Sequence, residues 1–213
     1  MKNRRVLIFA GGRIDQCFID EIRPDDYIIG ADRGAWFLVQ HGIKPHKAVG
    51  DFDSVSEEEF AFIKEQCAEV VACDPIHKDL TDTELAFDLA IQQQPAEIIL
   101  TGVIGTRMDH TLANIQMLLR AVQHQIACAI WDDHNYVTLT GSTCRIEDRG
   151  YAYVSLLPLT PEVTGITLDG FLYPLDDATL KMGQSLAVSN KLTASVGTVK
   201  IDSGWLLIIQ SRD

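Results

Sequence analysis

The segment Gly50-Asp51-Phe52-Asp53-Ser54 carries two carboxylates two residues apart, directly after the apolar run Ala48–Gly50. In an extended chain the side chains at i and i+2 point the same way, so the spacing predicts that Asp51 and Asp53 project together while Phe52 turns back into packing. Paired carboxylates suit a hard cation such as Mg²⁺, which takes oxygen ligands and is often shared with phosphate. In isolation an Asp-X-Asp pair reads as a solvated acidic turn, and the remaining acids and glycines shift that reading.

A second acidic cluster, Asp74-Pro75-Ile76-His77-Lys78-Asp79-Leu80-Thr81-Asp82, follows a strand-like run and opens a helix. Acids at a helix N-terminus complement the macrodipole, while a lysine among them can hold phosphate oxygen as a point charge. Gly102-Val103-Ile104-Gly105-Thr106-Arg107-Met108-Asp109-His110 resembles a phosphate-binding turn, with two glycines ahead of a helix start whose free amides can face an anion. Its spacing matches neither the Walker A nor the dinucleotide pattern. On the following helix, Met108, Leu112, Ile115, Leu119 and Val122 are spaced as a core stripe, and Arg107, His110, Thr111 and Asn114 form a polar face. His110 fits a capping or internally satisfied imidazole as well as a ligand contact. Asp32, in Asp32-Arg33-Gly34-Ala35-Trp36, fits a metal ligand or an N-cap equally, and Trp36 reads as packing.

The elements that must position these residues alternate. Short apolar runs (Val6–Ala10, Tyr27–Ala31, Ala48–Gly50, Glu69–Ala72, Ile98–Thr101, Ile126–Trp131) are separated by helical stretches, the pattern of a mostly parallel α/β sheet. Each run is followed closely by Gly or Asp, so a parallel arrangement brings the candidate residues to the carboxyl edge, where ligands of such sheets collect. Ser56, Thr81 and Thr106 each precede an acidic residue by three, predicting three capped helix starts. After about residue 135 the segments become short and β-rich: Tyr136–Leu139, Tyr151–Leu157, Val163–Leu168, Ser185–Val188, Ser195–Ile201 and Trp205–Ile209. The expected architecture is an α/β domain over 1–134 followed by an antiparallel β-sandwich over 135–213.

Of the 213 residues, 46% are hydrophobic and 23% charged, the composition of a globular protein. The formal net charge of −12 argues against nucleic acid or an anionic membrane as partner. Residues 1–135 hold 12 Lys and Arg against 22 Asp and Glu, and residues 136–213 hold 6 against 8, so the acidity lies in the first part. An acidic domain can still take a nucleoside triphosphate when divalent metal supplies positive charge. No apolar run has spanning length, and the run after Arg5 stops at Gly11-Gly12, too short for a signal-peptide core. The five cysteines lack a C-x-x-C pair, which points to a reducing cytoplasm rather than a disulfide or zinc framework.

Taken in order, Ala31-Asp32-Arg33-Gly34, Gly50-Asp51-Phe52-Asp53-Ser54, Lys78-Asp79-Leu80-Thr81-Asp82-Thr83-Glu84, Thr101-Gly102, Gly105-Thr106-Arg107-Met108-Asp109-His110-Thr111-Leu112-Ala113-Asn114 and Val188-Ser189-Asn190 resemble the motifs of the thiamine pyrophosphokinases across nearly the whole chain. Arg33 and Val103 stand where many members have glycine. The resemblance implies transfer of a pyrophosphoryl group from ATP to the hydroxyl of thiamine, with Mg²⁺, giving thiamine diphosphate and AMP. It implies a homodimer with active sites between the α/β domain of one chain and the β-sandwich of the other.

On this resemblance Asp51, Asp53, Asp79 and Asp82 are expected around Mg²⁺, with Asp32 as a further candidate, and Lys78 and Arg107 neutralise phosphate charge. Arg33, Thr81, Thr106, Asp109, His110 and Asn114 are expected on the ATP side with Asp32 and Lys78. Ser189 and Asn190 are expected near thiamine; Tyr173 is either an aromatic contact for its thiazolium cation or simple sandwich packing. The rival readings are an Asp-X-Asp glycosyltransferase and a non-catalytic Mg-nucleotide sensor.

Overall fold

The computed structural model describes residues 4–72 and 80–213. The chain divides into two compact units, Met1–Asp132 and Asp133–Asp213. The first contains β1 (Arg5–Phe9), α1 (Cys17–Asp20), β2 (Tyr27–Ala31), α2 (Arg33–Gln40), β3 (Lys47–Gly50), α3 (Glu57–Gln66), β4 (Val70–Ala72), α4 (Asp82–Gln92), β5 (Glu97–Thr101), α5 (Met108–Gln123) and β6 (Ala127–Trp131). These six strands pair in parallel in the order β4-β3-β2-β1-β5-β6. Every residue of β1 is buried, as expected of a central strand covered on both faces, whose sequence reads as a continuous apolar run. Chain order reverses between β1 and β5, and such a switch opens a crevice beyond the strand ends.

Helix starts follow local chemistry. Ser56 and Glu59 form a reciprocal capping box on α3, and the Thr81 hydroxyl accepts from Glu84 N at 3.2 Å on α4. At α5 the expectation fails: Arg107, not Thr106, occupies the N-cap position, and no side chain caps the helix. The Asp109 carboxylate is instead taken by the Arg107 guanidinium, at 2.6 Å.

The face of α5 that packs is also not the expected one. Met108 and Leu112 are 62% and 52% exposed, whereas Thr111, Asn114, Met117, Leu118 and Ala121 are buried. Two polar residues are carried inward because the loop before the helix presents backbone groups that need partners.

The second unit contains β7 (Asn135–Thr140), β8 (Cys144–Glu147), β9 (Tyr153–Pro158), β10 (Glu162–Asp169), β11 (Ala178–Lys181), β12 (Val196–Lys200) and β13 (Leu206–Ser211). Its strands form antiparallel β7-β13-β9 and β11-β10-β12-β8 layers. Leu156, Leu206 and Ile208 of one layer share a core with Ile146, Val163, Ile166, Leu180 and Val199 of the other, a sandwich built on alternating inward residues. The strand expected over Ser185–Val188 is a turn, with Val188 N donating to Ser185 O at 3.2 Å and Ser189 in the left-handed region at φ 59°. The strands β8 and β11 were not anticipated from the sequence. Among the described residues no helix is long and apolar enough to cross a membrane.

Candidate active site

The carboxyl edge of the parallel sheet carries a cavity of about 730 Å³. Its lining comes from three strand ends and two helix starts: Gly11, Gly12 and Arg13 after β1, Asp32 after β2, Gly102 and Thr106 after β5, and the α4 and α5 starts with Asp82, Arg107 and His110. The cavity sits at the β1/β5 switch point, where the backbones come very close. Gly12 N donates to Gly102 O at 2.8 Å, and Gly102 adopts φ +69° with Ala10 O only 2.6 Å from where a Cβ would stand. A side chain at position 102 would meet backbone as well as strain, so glycine is required there. Val103 beside it is accommodated: its side chain is buried and its carbonyl is held from α5.

That holding comes from the inward polar face of α5. Asn114 Nδ2 donates to Val103 O at 2.7 Å, and Thr111 Oγ1 accepts from Gly105 N at 3.3 Å while donating to Arg107 O at 3.2 Å. Asn114 therefore lines the cavity and fixes its glycine loop together. Arg107 reaches the cavity rim from an exposed position, bonded to the exposed Asp109. The guanidinium, with help from His110 N–H, pulls the Asp109 carboxyl down to about 2. Asp109 is not among the residues lining the cavity; it is paired with Arg107, which is.

Strand β3 ends at Gly50, and the acidic segment beyond it is not extended. Phe52 lies in the left-handed region at φ 57°, and Asp53 N donates to Asp51 Oδ1 at 3.2 Å. Alternation along a strand therefore does not orient this pair; a tight turn does. Phe52 faces inward as expected, 5% exposed, stacked on Phe60 at 4.6 Å within a cluster that includes Ala35, Val39 and Ile63. Trp36 packs against the same cluster.

Gly50 is the point on which the acids converge. A Cβ there, at φ +141°, would stand 3.2 Å from the Asp82 carboxylate and 3.4 Å from Asp32 Cβ. Asp32 occupies the residue before α2 but caps nothing with its side chain. Its Oδ2 accepts from the Ser54 hydroxyl at 2.5 Å, and its buried Oδ1 has no hydrogen-bond partner among the described residues. Burial pushes the Asp32 carboxyl up, the Ser54 hydrogen bond opposes this, and the charges of Asp82, Asp53 and Asp51 push it further up. Arg33, expected on the ATP side, donates from Nη1 to Ser54 O at 3.0 Å. Lys78 and Asp79 lie outside the described residues.

Among the described residues no group of three or more His, Cys, Asp or Glu side chains is gathered as a ready metal cage. Mg²⁺ does not need one, since one or two carboxylates plus phosphate oxygens are its usual set. The donors fit that chemistry: Asp32 and Asp82 flank Gly50, Asp51 and Asp53 add negative potential, and Asp32 Oδ1 is an unmatched buried oxygen.

In the second unit, Asn190 is buried and bonded to both ends of the Tyr173 backbone: Oδ1 accepts from Tyr173 N at 3.0 Å and Nδ2 donates to Tyr173 O at 2.7 Å. Ser189 N donates to Ser155 Oγ at 2.9 Å. The Tyr173 side chain is 62% exposed, so it is not sandwich packing; Leu172 next to it, and Val188 just before Ser189 and Asn190, are exposed apolar residues. Asn190 builds this corner, and Tyr173 is presented from it.

Sequence reading missed Arg13 on the cavity wall and Ser54 at the junction of the two acidic turns. Ser54 stands beside Asp53 in the acidic motif; nothing in the sequence pairs it with a residue 22 positions earlier.

Residues 18–130 match the family model described as thiamin pyrophosphokinase, catalytic domain, and residues 143–206 that described as thiamin pyrophosphokinase, vitamin B1 binding domain. The chain is 37% identical over 187 residues to a thiamine pyrophosphokinase of Bacillus subtilis (strain 168), covering 87% of each. It resembles the crystal structure of thiamine pyrophosphokinase from Bacillus subtilis with a TM-score of 0.91 at 34% identity, covering 98% of this chain and 99% of that one. The thiamin pyrophosphokinase structure from Geobacillus thermodenitrificans aligns with a TM-score of 0.89 at 32% identity, covering 98% of each chain. None of these relatives is a glycosyltransferase or a nucleotide sensor. With both family models matched in order and the relatives aligned along nearly the full length, the chain belongs to the thiamine pyrophosphokinase family.

Proposed function

We propose that this chain transfers the pyrophosphoryl group of ATP to the hydroxyl of thiamine, releasing AMP and thiamine diphosphate. The observation that carries the reading is the convergence of Asp32 and Asp82 on Gly50, with Asp51 and Asp53 close by, across a cavity from a glycine turn and Arg107. Such an edge suits a polyphosphate: backbone amides at helix starts and one guanidinium face oxygen, and the carboxylates take a divalent cation. Bound Mg²⁺ would offset phosphate charge and make the β-phosphorus more electrophilic.

In the transfer the thiamine hydroxyl oxygen forms a bond to the β-phosphorus, the bond from that phosphorus to the oxygen bridging to the α-phosphate breaks, and AMP leaves with that electron pair. The hydroxyl proton passes to a carboxylate of the acidic cluster as the new bond forms. The protein's part is mainly positioning and electrostatic stabilisation. Asp32, Asp51, Asp53 and Asp82, joined by Asp79, would hold Mg²⁺, and Lys78 and Arg107 would neutralise the phosphates. Thr81, Thr106 and His110 contact ATP at the rim. Asp109 keeps Arg107 aimed at ATP, Asn114 keeps the glycine turn in shape, and Arg33 serves the site through Ser54.

The proposal includes thiamine binding at Ser189, Asn190 and Tyr173 of the second unit, in a cytoplasmic homodimer. Support comes from the exposed Tyr173 ring, a suitable face for a thiazolium cation, and from the vitamin B1 binding description of the family model over 143–206. Incubation with Mg²⁺-ATP and thiamine, followed by chromatography, tests the reading: AMP and thiamine diphosphate are expected in equal amounts. Unchanged ATP despite measurable nucleotide binding would favour a sensor.

A further inference from the structure

The turns that follow β2 and β3 each hold a non-glycine residue in the left-handed region, Asp32 at φ 49° and Phe52 at φ 57°. Such conformations are strained and persist only where surrounding contacts impose them. Phe52 is imposed by its ring, which is buried against Phe60 and the α2 and α3 side chains. Asp32 has backbone ties, with its N–H on Val49 O at 2.9 Å and its carbonyl accepting from Ala35 N at 2.9 Å. These set the main chain and leave its carboxylate to be oriented separately.

Ser54 orients it. Its hydroxyl donates to Asp32 Oδ2 at 2.5 Å, while its carbonyl accepts from Arg33 Nη1 at 3.0 Å. One residue of the acidic turn is thus gripped at both its side chain and its backbone by two consecutive residues of the neighbouring turn. A carboxylate has two oxygens, and engaging one with a hydroxyl leaves the other to a different ligand. Asp32 Oδ1 is that other oxygen, buried and without a hydrogen-bond partner among the described residues. A carboxylate oxygen left without a partner among other acids, on the lining of the cavity, is a donor that a divalent cation matches.

We infer that Ser54 and Arg33 are positioning residues that lock the acidic turn onto Asp32 and present Asp32 Oδ1 to the divalent cation. This rests on the proposed pyrophosphoryl transfer with Mg²⁺, and it gives Arg33 a task distinct from phosphate contact. Partners that orient a metal ligand commonly change metal affinity by about 10–100-fold when removed.

The test is Mn²⁺ binding, followed by the loss of the free-ion electron paramagnetic resonance signal, with Mn²⁺ alone and with Mn²⁺ plus α,β-methylene ATP. Ser54→Ala is expected to weaken Mn²⁺ about 10-fold or more and to raise the Mg²⁺ concentration for half-maximal turnover, whereas Ser54→Thr, which keeps the hydroxyl, restores binding. Arg33→Gln is expected to weaken Mn²⁺ in the same direction by about 3-fold or more, and it is the arm to use if Ser54→Ala melts early. No Mn²⁺ binding by the unaltered chain in either condition would overturn the metal reading and this inference with it. Unaltered-chain affinity in folded Ser54→Ala and Arg33→Gln overturns the positioning role alone.

Discussion

Asn114 Nδ2 and the carbonyl of Val103 meet at 2.7 Å inside the protein, tying the second turn of α5 to the glycine loop that shapes the cavity. Both residues are buried, so this carbonyl has no ready access to solvent. Asn114→Ala is expected to destabilise the fold by about 1–3 kcal/mol, the cost of an unsatisfied buried polar group. Turnover should fall about 10-fold or more because a slackened loop misplaces the phosphates. Urea unfolding and steady-state kinetics measure the two effects, and stability loss with full turnover would show that the loop does not need this tie.

Asp53 is exposed and contributes little to packing, yet its charge is among those felt by Asp32. Asp53→Asn should fold normally and lose AMP formation by on the order of 10²–10³-fold, the scale seen when a transition-state electrostatic contact is removed. A melting curve beside the product assay separates folding from chemistry. Near-normal turnover would remove Asp53 from the metal-binding group.

His46 supplies a pH dependence remote from the acids. Its Nδ1 accepts from Ile28 N at 3.1 Å, its ring stacks on Tyr27 at 4.5 Å, and Arg4 Nη2 stands 3.3 Å from Nε2. Burial first, and then the Arg4 charge, lower its pKa below the ordinary 6.5. The unfolded chain therefore takes up the proton before the folded one. Stability from this group is fully present above pH 6.5 and declines as pH falls from there through the folded pKa. Melting temperatures recorded downward from pH 7.5 should show this decline, and His46→Gln should reduce it; an identical slope in the variant would assign the dependence elsewhere.

At the opposite end of β1 from the cavity, Arg5 forks onto Asp26 with Nε to Oδ1 at 2.9 Å and Nη2 to Oδ2 at 2.7 Å. Asp26 is 2% exposed and also accepts from Arg23 N at 2.8 Å. Asp26→Asn leaves the Arg5 cation buried without its counterion and should cost about 3–5 kcal/mol of stability. Kinetic constants measured well below the melting temperature should change little, because the pair lies at the strand start rather than the strand end. A large fall in turnover at full stability would contradict that separation.

Composition and pattern alone determined the two-part architecture, since period and length distinguish buried parallel strands with crossover helices from short alternating strands. They also determined the inward turn of Phe52 and the caps at Ser56 and Thr81, which are local effects within a few residues. The motifs along the sheet edge were enough to propose phosphate and metal chemistry. Which face of α5 packs was decided only in three dimensions. Its apolar stripe and its polar stripe have equivalent spacing, and the outcome follows the carbonyl and amide groups at Val103 and Gly105 that Asn114 and Thr111 satisfy. The geometry of Asp51 and Asp53 was likewise beyond strand arithmetic, because β3 ends at Gly50 and the chain turns. Ser54 gripping Asp32, and Arg33 gripping Ser54, join positions about twenty residues apart. Sequence spacing carries no measure of that distance; parallel pairing of β2 with β3 sets it.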